Sequence, residues 1–464
     1  MKLQDEFERF QERIGGLRES HPLLWLLRDS IYLALHYQSA TDVPLRRHQW
    51  GLWGWRLRWW RDWLFFRPLP NSPPNESTRF GFLFYGSWDS HFATLLPVLS
   101  ELAAREPVSV WTLALNSRQL QDLEAMSNVR LLPIAGSLSY DRPRPSDRRR
   151  ALADYRVLAQ SEKLTTEEHL LLRTKASRVV ELIFDYLNWT RIWNRAKTQL
   201  PTEALLLTSE STPLVKAMRD LARSQGCRVV HFFHGLPGAT HQVTSATDVC
   251  VFSALEKDWL ETRAPPGTRV HAIGNPRMEE IRKRVGPPRR RAKDEPFRAL
   301  FFSQGPGSDY TPAMRRQDLG ILARDQGSWH LRVRPHPTES EKLLREDLAL
   351  AGLEVNEISS QSLLDDLTWS DVALTSFSTA LLEAAVCGRI CYWVNAQDYS
   401  IAAAQALRAQ GIGGLIKSSE EWNSAIKRLL TLEMSEPEVV RKEVLLKLRI
   451  INPSGISWAQ RLDL

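Results

Sequence analysis

The sequence predicts an α/β protein of two doubly wound domains with a helical N-terminal extension. Three observations carry that expectation. Short apolar runs alternate with helical stretches, the pattern of βαβ units and parallel sheets. The alternation starts twice, at Phe80 and again at Ala299. Between the two series lies a breaker-rich basic stretch, Gly286-Pro-Pro-Arg-Arg-Arg-Ala-Lys293, the composition of a linker. A chain of 464 residues is also too long for one ordinary core. The expected division is 1–74 for the extension, 75–285 for the N-terminal domain and 286–464 for the C-terminal domain with its closing helices.

In chain order, residues 1 to about 70 read as helical pieces that stop at Arg67-Pro-Leu-Pro-Asn-Ser-Pro-Pro74. A strand at Phe80–Tyr85, a turn at Gly86–His91 and a helix over Phe92–Ala104 follow, then strands at Val108–Leu115 and Val129–Ile134. Ser139–Arg150, rich in Pro, Arg and Asp, reads as a loop, and 151–199 as helical throughout. Strands return at Ala204–Leu207, Arg228–Phe233 and Asp248–Phe252. The second series runs strand Ala299–Ser303, helix Pro312–Asp325, strand His330–Val333, helix Ser340–Ala351 and strand Glu354–Ile358. Strand Val372–Leu374, helix Thr379–Cys387 and strand Ile390–Val394 complete it.

Bulk composition is that of a globular protein: 43% hydrophobic and 25% charged residues, with a formal net charge of +7. That excess suits anionic ligands or surfaces without choosing among them. The four cysteines, Cys227, Cys250, Cys387 and Cys391, form no CxxC pair and adjoin no His cluster, so reduced buried thiols in a cytoplasmic protein are expected. No apolar run is long enough for a transmembrane helix, and the acidic start MKLQDEFERF lacks a signal-peptide core. Seven of the 17 tryptophans fall in the first 66 residues, and six of them interleave with arginines between 46 and 67. Such side chains suit a lipid headgroup boundary, which gives one reading: a peripheral contact with an anionic membrane surface, such as the inner face of the plasma membrane. The other is a helical arm packed on the next domain. The same segment could stack bases, but no nucleic-acid motif accompanies it, and no nucleic-acid partner is expected.

Ligands of doubly wound sheets sit outside the carboxyl ends of the strands. Loops after strands therefore carry the candidates. In Leu331-Arg-Val-Arg-Pro-His-Pro-Thr338 a strand delivers Arg334 and His336 to its edge, with Pro335 and Pro337 stiffening the loop. Arg334 can clamp a phosphate, and His336 can donate to it or to a leaving oxygen. In Thr375–Gly388 the hydroxyls of Ser376, Ser378 and Thr379 cluster where a strand meets a helix, an arrangement suited to an anion. Glu383 lies one turn on, where a carboxylate could accept bonds from a ribose diol. Gln304 and Gly305 stand in a Gly-rich turn after the first strand of this half, where backbone could approach a nucleotide closely. No acidic cluster of DxD type is present, so no metal is expected. In the N-terminal half Asp89 and His91 of the first turn, Glu210 and His234 stand at strand ends, each able to serve as a catalytic base, with His234 preferred, then Glu210, then Asp89.

Four of these pieces occur in order: Phe233-His-Gly-Leu-Pro-Gly238, Ile273-Gly-Asn-Pro-Arg277, Arg334-Pro-His-Pro337 and Ser376-Phe-Ser-Thr-Ala-Leu-Leu-Glu383. The series resembles that of GT-B glycosyltransferases of bacterial surface polysaccharides. The resemblance is greatest to the cytidine-nucleotide users: sialyl- and polysialyltransferases, Kdo transferases of capsule assembly, and CDP-glycerol glycerophosphotransferases. It spans roughly residues 200–395. It implies two Rossmann-like domains, an N-terminal one for a glycan or glycolipid acceptor and a C-terminal one for a nucleotide-sugar donor, CMP-linked, with no further cofactor. It further implies that His336 contacts the nucleotide phosphate and assists its departure. Ser376, Ser378 and Thr379 would hold that phosphate, Glu383 the ribose, and His234 would be the base. The acidic pair before a Gly that sialyltransferases use is absent here. A UDP-sugar transferase, a nucleotide-sugar 2-epimerase and a non-catalytic scaffold of a polysaccharide assembly complex are the alternatives.

Overall fold

The computed structural model describes residues 2–36, 77–85, 89–113, 115–134, 144–210, 212–235, 245–288, 295–304, 310–323, 326–336, 339–355, 357–397, 402–431 and 457–464. They fold into two compact units. The first comprises Lys2–Val251, Leu260–His271 and Ile456–Leu464; the second comprises Phe252–Trp259 and Ala272–Gly455.

Four helices open the chain: α1 (Lys2–Ile14), α2 (Leu17–Ser20), α3 (Pro22–Leu26) and α4 (Arg28–His36). Then follow β1 (Phe80–Tyr85), α5 (Asp89–Ala103), β2 (Val108–Leu113), α6 (Ser117–Glu124) and β3 (Val129–Pro133). Three helices, α7 (Pro145–Ala159), α8 (Thr166–Thr174) and α9 (Ala176–Arg195), precede β4 (Ala204–Leu207), α10 (Pro213–Ser224), β5 (Arg228–Phe232), β6 (Asp248–Val251), α11 (Ala254–Glu261) and β7 (Arg269–Ala272). These seven strands form one sheet in the order β3-β2-β1-β4-β5-β6-β7. Every register pair assigned within it is parallel.

The expected extension is not a body of its own where it is described. Phe7, Phe10 and Ile14 recur on one face of α1 and bury with Ile31 and Tyr32 of α4 against Leu158, Leu172, Val179 and Ile183 of α7–α9. Lys216 of α10 and Asp29 of α4 add an ion pair at 2.8 Å, both side chains buried. Residues 37–76, which hold the Trp/Arg segment 46–67, lie outside the described residues.

The second unit continues with α12 (Pro276–Val285), β8 (Phe297–Phe302), α13 (Pro312–Ile321), β9 (Trp329–Arg334), α14 (Glu341–Leu350), β10 (Glu357–Ile358), α15 (Leu363–Trp369), β11 (Val372–Thr375), α16 (Ala380–Val386), β12 (Ile390–Val394), α17 (Ala402–Ala409), β13 (Gly414–Ile416) and α18 (Ser419–Thr431). Its sheet runs β10-β9-β8-β11-β12-β13, again with parallel register pairs. One side of its core gathers Phe297, Trp329 and Trp422 with Leu331, Leu344 and Leu374. The chain closes with α19 (Trp458–Leu462), which joins the first unit.

Two doubly wound Rossmann-like units are thus present, with corrections of detail. The border expected at 286 lies earlier, because Ala272–Val285 belongs to the second unit. The last residues, assigned to the C-terminal domain, belong to the first: Glu101 accepts from Trp458 N and Ala459 N (2.7 and 3.2 Å), and Arg228 donates to Leu462 O and Asp463 O. The loop expected through Arg150 gives way to α7 at Pro145, a residue preset for the first helical turn. The long helix expected over 151–199 is interrupted before Thr165, whose capping box with Glu168 starts α8. The strand expected from Glu354 contracts to Glu357–Ile358. The short strands β7 and β13, which end the two sheets, have no clear apolar alternation in sequence.

All four cysteines are buried and none is in a disulfide. Among the described residues no helix is long and apolar enough to cross a membrane. Near the start of α11, Glu256 is 2% exposed and accepts from Phe252 N at 2.8 Å. Burial pushes its pKa up to about 8, against the hydrogen bonds from Phe252 and Ser253. The folded chain therefore keeps a proton that the unfolded chain releases above its ordinary value of 4.5, so stability falls as pH rises from there toward 8. Replacing Glu256 by Gln, which never ionises, is expected to raise the melting temperature more at pH 8 than at pH 5. An equal effect at both pH values in a thermal melt would refute a buried neutral carboxyl.

Candidate functional site

Each sheet has a point where strand order reverses, and the candidate residues gather there. In the second unit the reversal lies between β8 and β11, with β9 on the other flank of β8. Phe302, the last residue of β8, pairs with Arg334 of β9 and with Thr375 of β11. The three strands therefore end level. Thr375 Oγ1 donates to Phe302 O at 2.9 Å, and Ser303 N donates to Arg334 O at 2.9 Å, tying the loops together at their roots. Gln304 is half-buried just beyond β8, whereas Gly305 and Pro337 lie outside the described residues.

Arg334 Nη1 donates to Asp366 Oδ2 (2.7 Å) and to Gln361 O (2.8 Å), and Arg332 reaches the other oxygen of Asp366 at 3.2 Å. The buried Asp366 fixes the guanidinium that the sequence offers to a phosphate, and the Arg334 side chain remains 28% exposed. Guanidinium carries five N–H donors, so Nη1 does not exhaust it. His336 is half-buried, and its backbone N–H donates to Glu339 Oε2 at 3.1 Å. Burial lowers the pKa of its ring and Glu339 opposes that shift. The ring is accordingly neutral at pH 7, a hydrogen-bond donor through one nitrogen only. Beneath the loop, the fully buried Arg315 of α13 pairs with both Glu339 and Asp347, and Ser303 Oγ donates to Glu339 Oε1 at 3.1 Å.

The second loop divides its hydroxyls. Ser376 is buried, 2.8 Å from Tyr310 Oη, and Tyr310 in turn donates to Asp318 at 2.9 Å. It belongs to an interior network and is not placed as a surface phosphate ligand. Ser378 and Thr379 remain half-buried at the start of α16, where Ser378 Oγ accepts from Ala380 N at 3.3 Å. Glu383, 4% exposed, is held by both terminal nitrogens of Arg277, at 2.9 and 3.4 Å. Burial raises the pKa of its carboxyl, while Arg277 and then Arg334 favour its ionised form. Arg277 is a site residue to which the sequence assigned no role. Gly274, with φ of +81°, turns the chain, and Asn275 caps α12 through Arg277 N at 2.8 Å. Only the fold brings that arginine, 106 positions away, onto Glu383.

In the first unit the reversal falls between β1 and β4. His91 comes from the first turn of α5, Thr208 directly follows β4, and His234 follows β5. The His91 and His234 rings stack, with centroids 3.7 Å apart and planes at 27°. Both are anchored on Thr208: His91 Nδ1 lies 2.9 Å from its Oγ1, and His234 Nδ1 lies 3.1 Å from its carbonyl oxygen. Glu210 is differently placed. It is buried, with one oxygen 2.8 Å from His231 Nδ1 and the other accepting from Arg219 and from Ser245 N at 3.0 Å. Burial works against its ionisation, but Arg219 and His231 hold its pKa well below the usual carboxylate range. Such a group anchors its loop and is a weak proton acceptor. Asp89 is the first residue of α5, and its side chain lies outside the described residues. Among the described residues no group of three or more His, Cys, Asp or Glu is placed to hold a metal ion.

No family model and no curated protein matches the chain. Solved structures do. A UDP-GlcNAc 2-epimerase from Neisseria meningitidis bound to UDP-GlcNAc is 15% identical, over 83% of this chain and 98% of that one, with a TM-score of 0.45. A UDP-glucosyltransferase from Polygonum tinctorium is 13% identical over 84% and 98%, also at 0.45. An O-GlcNAc transferase from Thermobaculum terrenum is 16% identical over 99% and 80%, at 0.43. At these scores the likeness decides nothing about the site, whose reading rests on this chain's own residues.

Proposed function

We propose that this protein is a glycosyltransferase that takes its sugar from a nucleotide donor held at the β8/β9/β11 edge of the second unit. The observation that carries the reading is the level ending of those strands: Phe302 pairs with both Arg334 and Thr375. The register thereby sets a guanidinium and an imidazole on one loop beside hydroxyls on the next. Arg334 and Ser378 would bind the donor phosphates, with Thr379 beside them. Glu383, oriented by Arg277, retains lone pairs for ribose hydroxyls. His336 would donate to the oxygen on which charge grows as the sugar–phosphate bond breaks.

The acceptor is a glycan or glycolipid hydroxyl, and His234 is its base. The reaction is direct displacement: the hydroxyl attacks the anomeric carbon, His234 takes its proton, and the nucleotide leaves with the bonding pair. The donor is CMP-linked in this reading, supported by the resemblance of the His-Gly, His-Pro and Ser/Thr–Glu pieces to cytidine-nucleotide enzymes. Its place of action is the cytoplasm, with segment 46–67 as a contact to the inner face of the plasma membrane.

A melting series with CMP, CDP, UDP and GDP tests the donor assignment, because a nucleotide that binds the folded state raises apparent stability by mass action. CMP or CDP at a hundred times its dissociation constant should contribute about 2.7 kcal/mol. A preference for UDP overturns the cytidine donor, and no response to any of the four overturns the nucleotide site. Turnover of UDP-GlcNAc to its 2-epimer without any acceptor would replace transfer by epimerisation.

A further inference from the structure

We propose that Tyr310 is a positioning residue of the donor site: its hydroxyl, clamped between Ser376 and Asp318, sets the loop that carries Ser378 and Thr379. The inference rests on the reading of that loop as the phosphate side of a nucleotide site, and it assigns a role to a residue that the resemblance leaves without one. Tyr310 stands between β8 and α13 and is 3% exposed. Its Oη donates to Asp318 Oδ2 at 2.9 Å. A phenol has one hydrogen to give, so Ser376 Oγ, 2.8 Å from the same oxygen, donates the second bond. The chain from Ser376 through Tyr310 to Asp318 thus runs one way, and each bond polarises the next.

Asp318, on α13, is as buried as Tyr310, and its other oxygen accepts from Ala396 N at 2.8 Å, just past β12. The network therefore joins the chain segments that follow β8, β11 and β12, three neighbouring strands of the sheet. Tyr310 meets the β11 loop a second time through its ring, edge-on to Phe377 with centroids 4.9 Å apart and planes at 81°. Thr375 Oγ1 accepts from Ser378 N at 3.0 Å and holds the same loop from the strand side. Ser378 and Thr379, the candidate phosphate ligands, are the next two residues. A nucleotide that needs this loop in one arrangement binds in proportion to the fraction of molecules that already have it.

The test uses the full-length protein carrying Tyr310→Phe, Ser376→Ala, both together, or Trp422→Phe. Tyr310→Phe keeps the ring for Phe377 and removes only the hydroxyl. Trp422→Phe is the control: it alters a buried contact with Phe297 and Trp329 in the same unit and leaves the network intact. The first readout needs no ligand. In Tyr310→Phe the backbone amides of residues 376–380 should exchange with deuterium about tenfold faster, the equivalent of one lost hydrogen bond, while those of α14 exchange as before. The second readout is the affinity for CMP and for UDP by titration. Tyr310→Phe should weaken whichever nucleotide the wild type binds by about tenfold. The double variant should be no weaker than Tyr310→Phe, because the hydroxyls form one chain. Trp422→Phe should leave affinity at the wild-type value even where it lowers the melting temperature. Unchanged loop exchange or unchanged affinity in Tyr310→Phe overturns the proposal, as do additive losses in the double variant or an equal loss in Trp422→Phe. If the wild type binds neither nucleotide, the donor reading falls instead, and exchange would still judge whether Tyr310 clamps the loop.

Discussion

Replacing Arg315 by alanine is expected to destabilise the second unit by about 3–5 kcal/mol, the usual cost of removing one partner from a buried ion pair. Its side chain is 1% exposed, and it pairs with Glu339 and Asp347, which are hardly more exposed. Removing the guanidinium takes that counter-charge from the buried Glu339, while Asp347 keeps Arg316 at 2.9 Å. For a unit of this size each kcal/mol lowers the melting temperature by roughly 2–4 °C, so calorimetry should find a loss of about 6–20 °C. The damage should extend to the site, because Glu339 also accepts from Ser303 Oγ and from His336 N. A variant that replaces Arg315 by Met, Glu339 by Gln and Asp347 by Asn should regain much of the stability, since it removes the uncompensated charge as well as the pair. If Arg315→Ala melts with the wild type, the cluster contributes nothing and the loop is held by other means.

Replacing His336 by alanine is expected to lower turnover by roughly 10²–10⁴-fold, the range for a positioned proton donor. The melting temperature should change little, because the bond from His336 N to Glu339 is made by the backbone and survives the substitution. Burial lowers the ring's pKa, so it is neutral at pH 7 in the free protein. Its contribution should therefore persist as pH rises from 7 to 8, where a charged imidazolium would be lost. Full nucleotide release by purified His336→Ala would place the donor elsewhere in the molecule.

The sequence made the candidate loops legible because strand ends, prolines and hydroxyl clusters are local features. His330–Val333 reads as a strand running into Pro335 and His336, and β9 covers that stretch. It could not say which polar groups stay outside. Ser376 and Ser378 differ by two positions in a sequence of hydroxyls, yet one is committed to Tyr310 and the other stands at the start of α16. Among the candidate bases, Glu210 carried the same local signal as His234. Only the arrival of Arg219 from α10 and of His231 from β5 turned it into an anchor. His91 lay in plain view in its turn, but nothing local marks a histidine that will stack on another 143 positions away.

By itself the sequence determined that the chain forms two α/β series and where most of their strands begin. Hydrophobic periodicity and breaker residues act over a few positions, and those properties follow from them. The tertiary structure alone decided where the units divide, that the first helices join the core of α7–α9, and that the last residues dock on Glu101 and Arg228. It also decided the pairings of Arg277 with Glu383, Arg315 with Glu339 and Asp347, and His91 with His234. Each of those depends on strand order and burial. A charge removed from water must find a partner, and chain distance plays no part in which partner it finds.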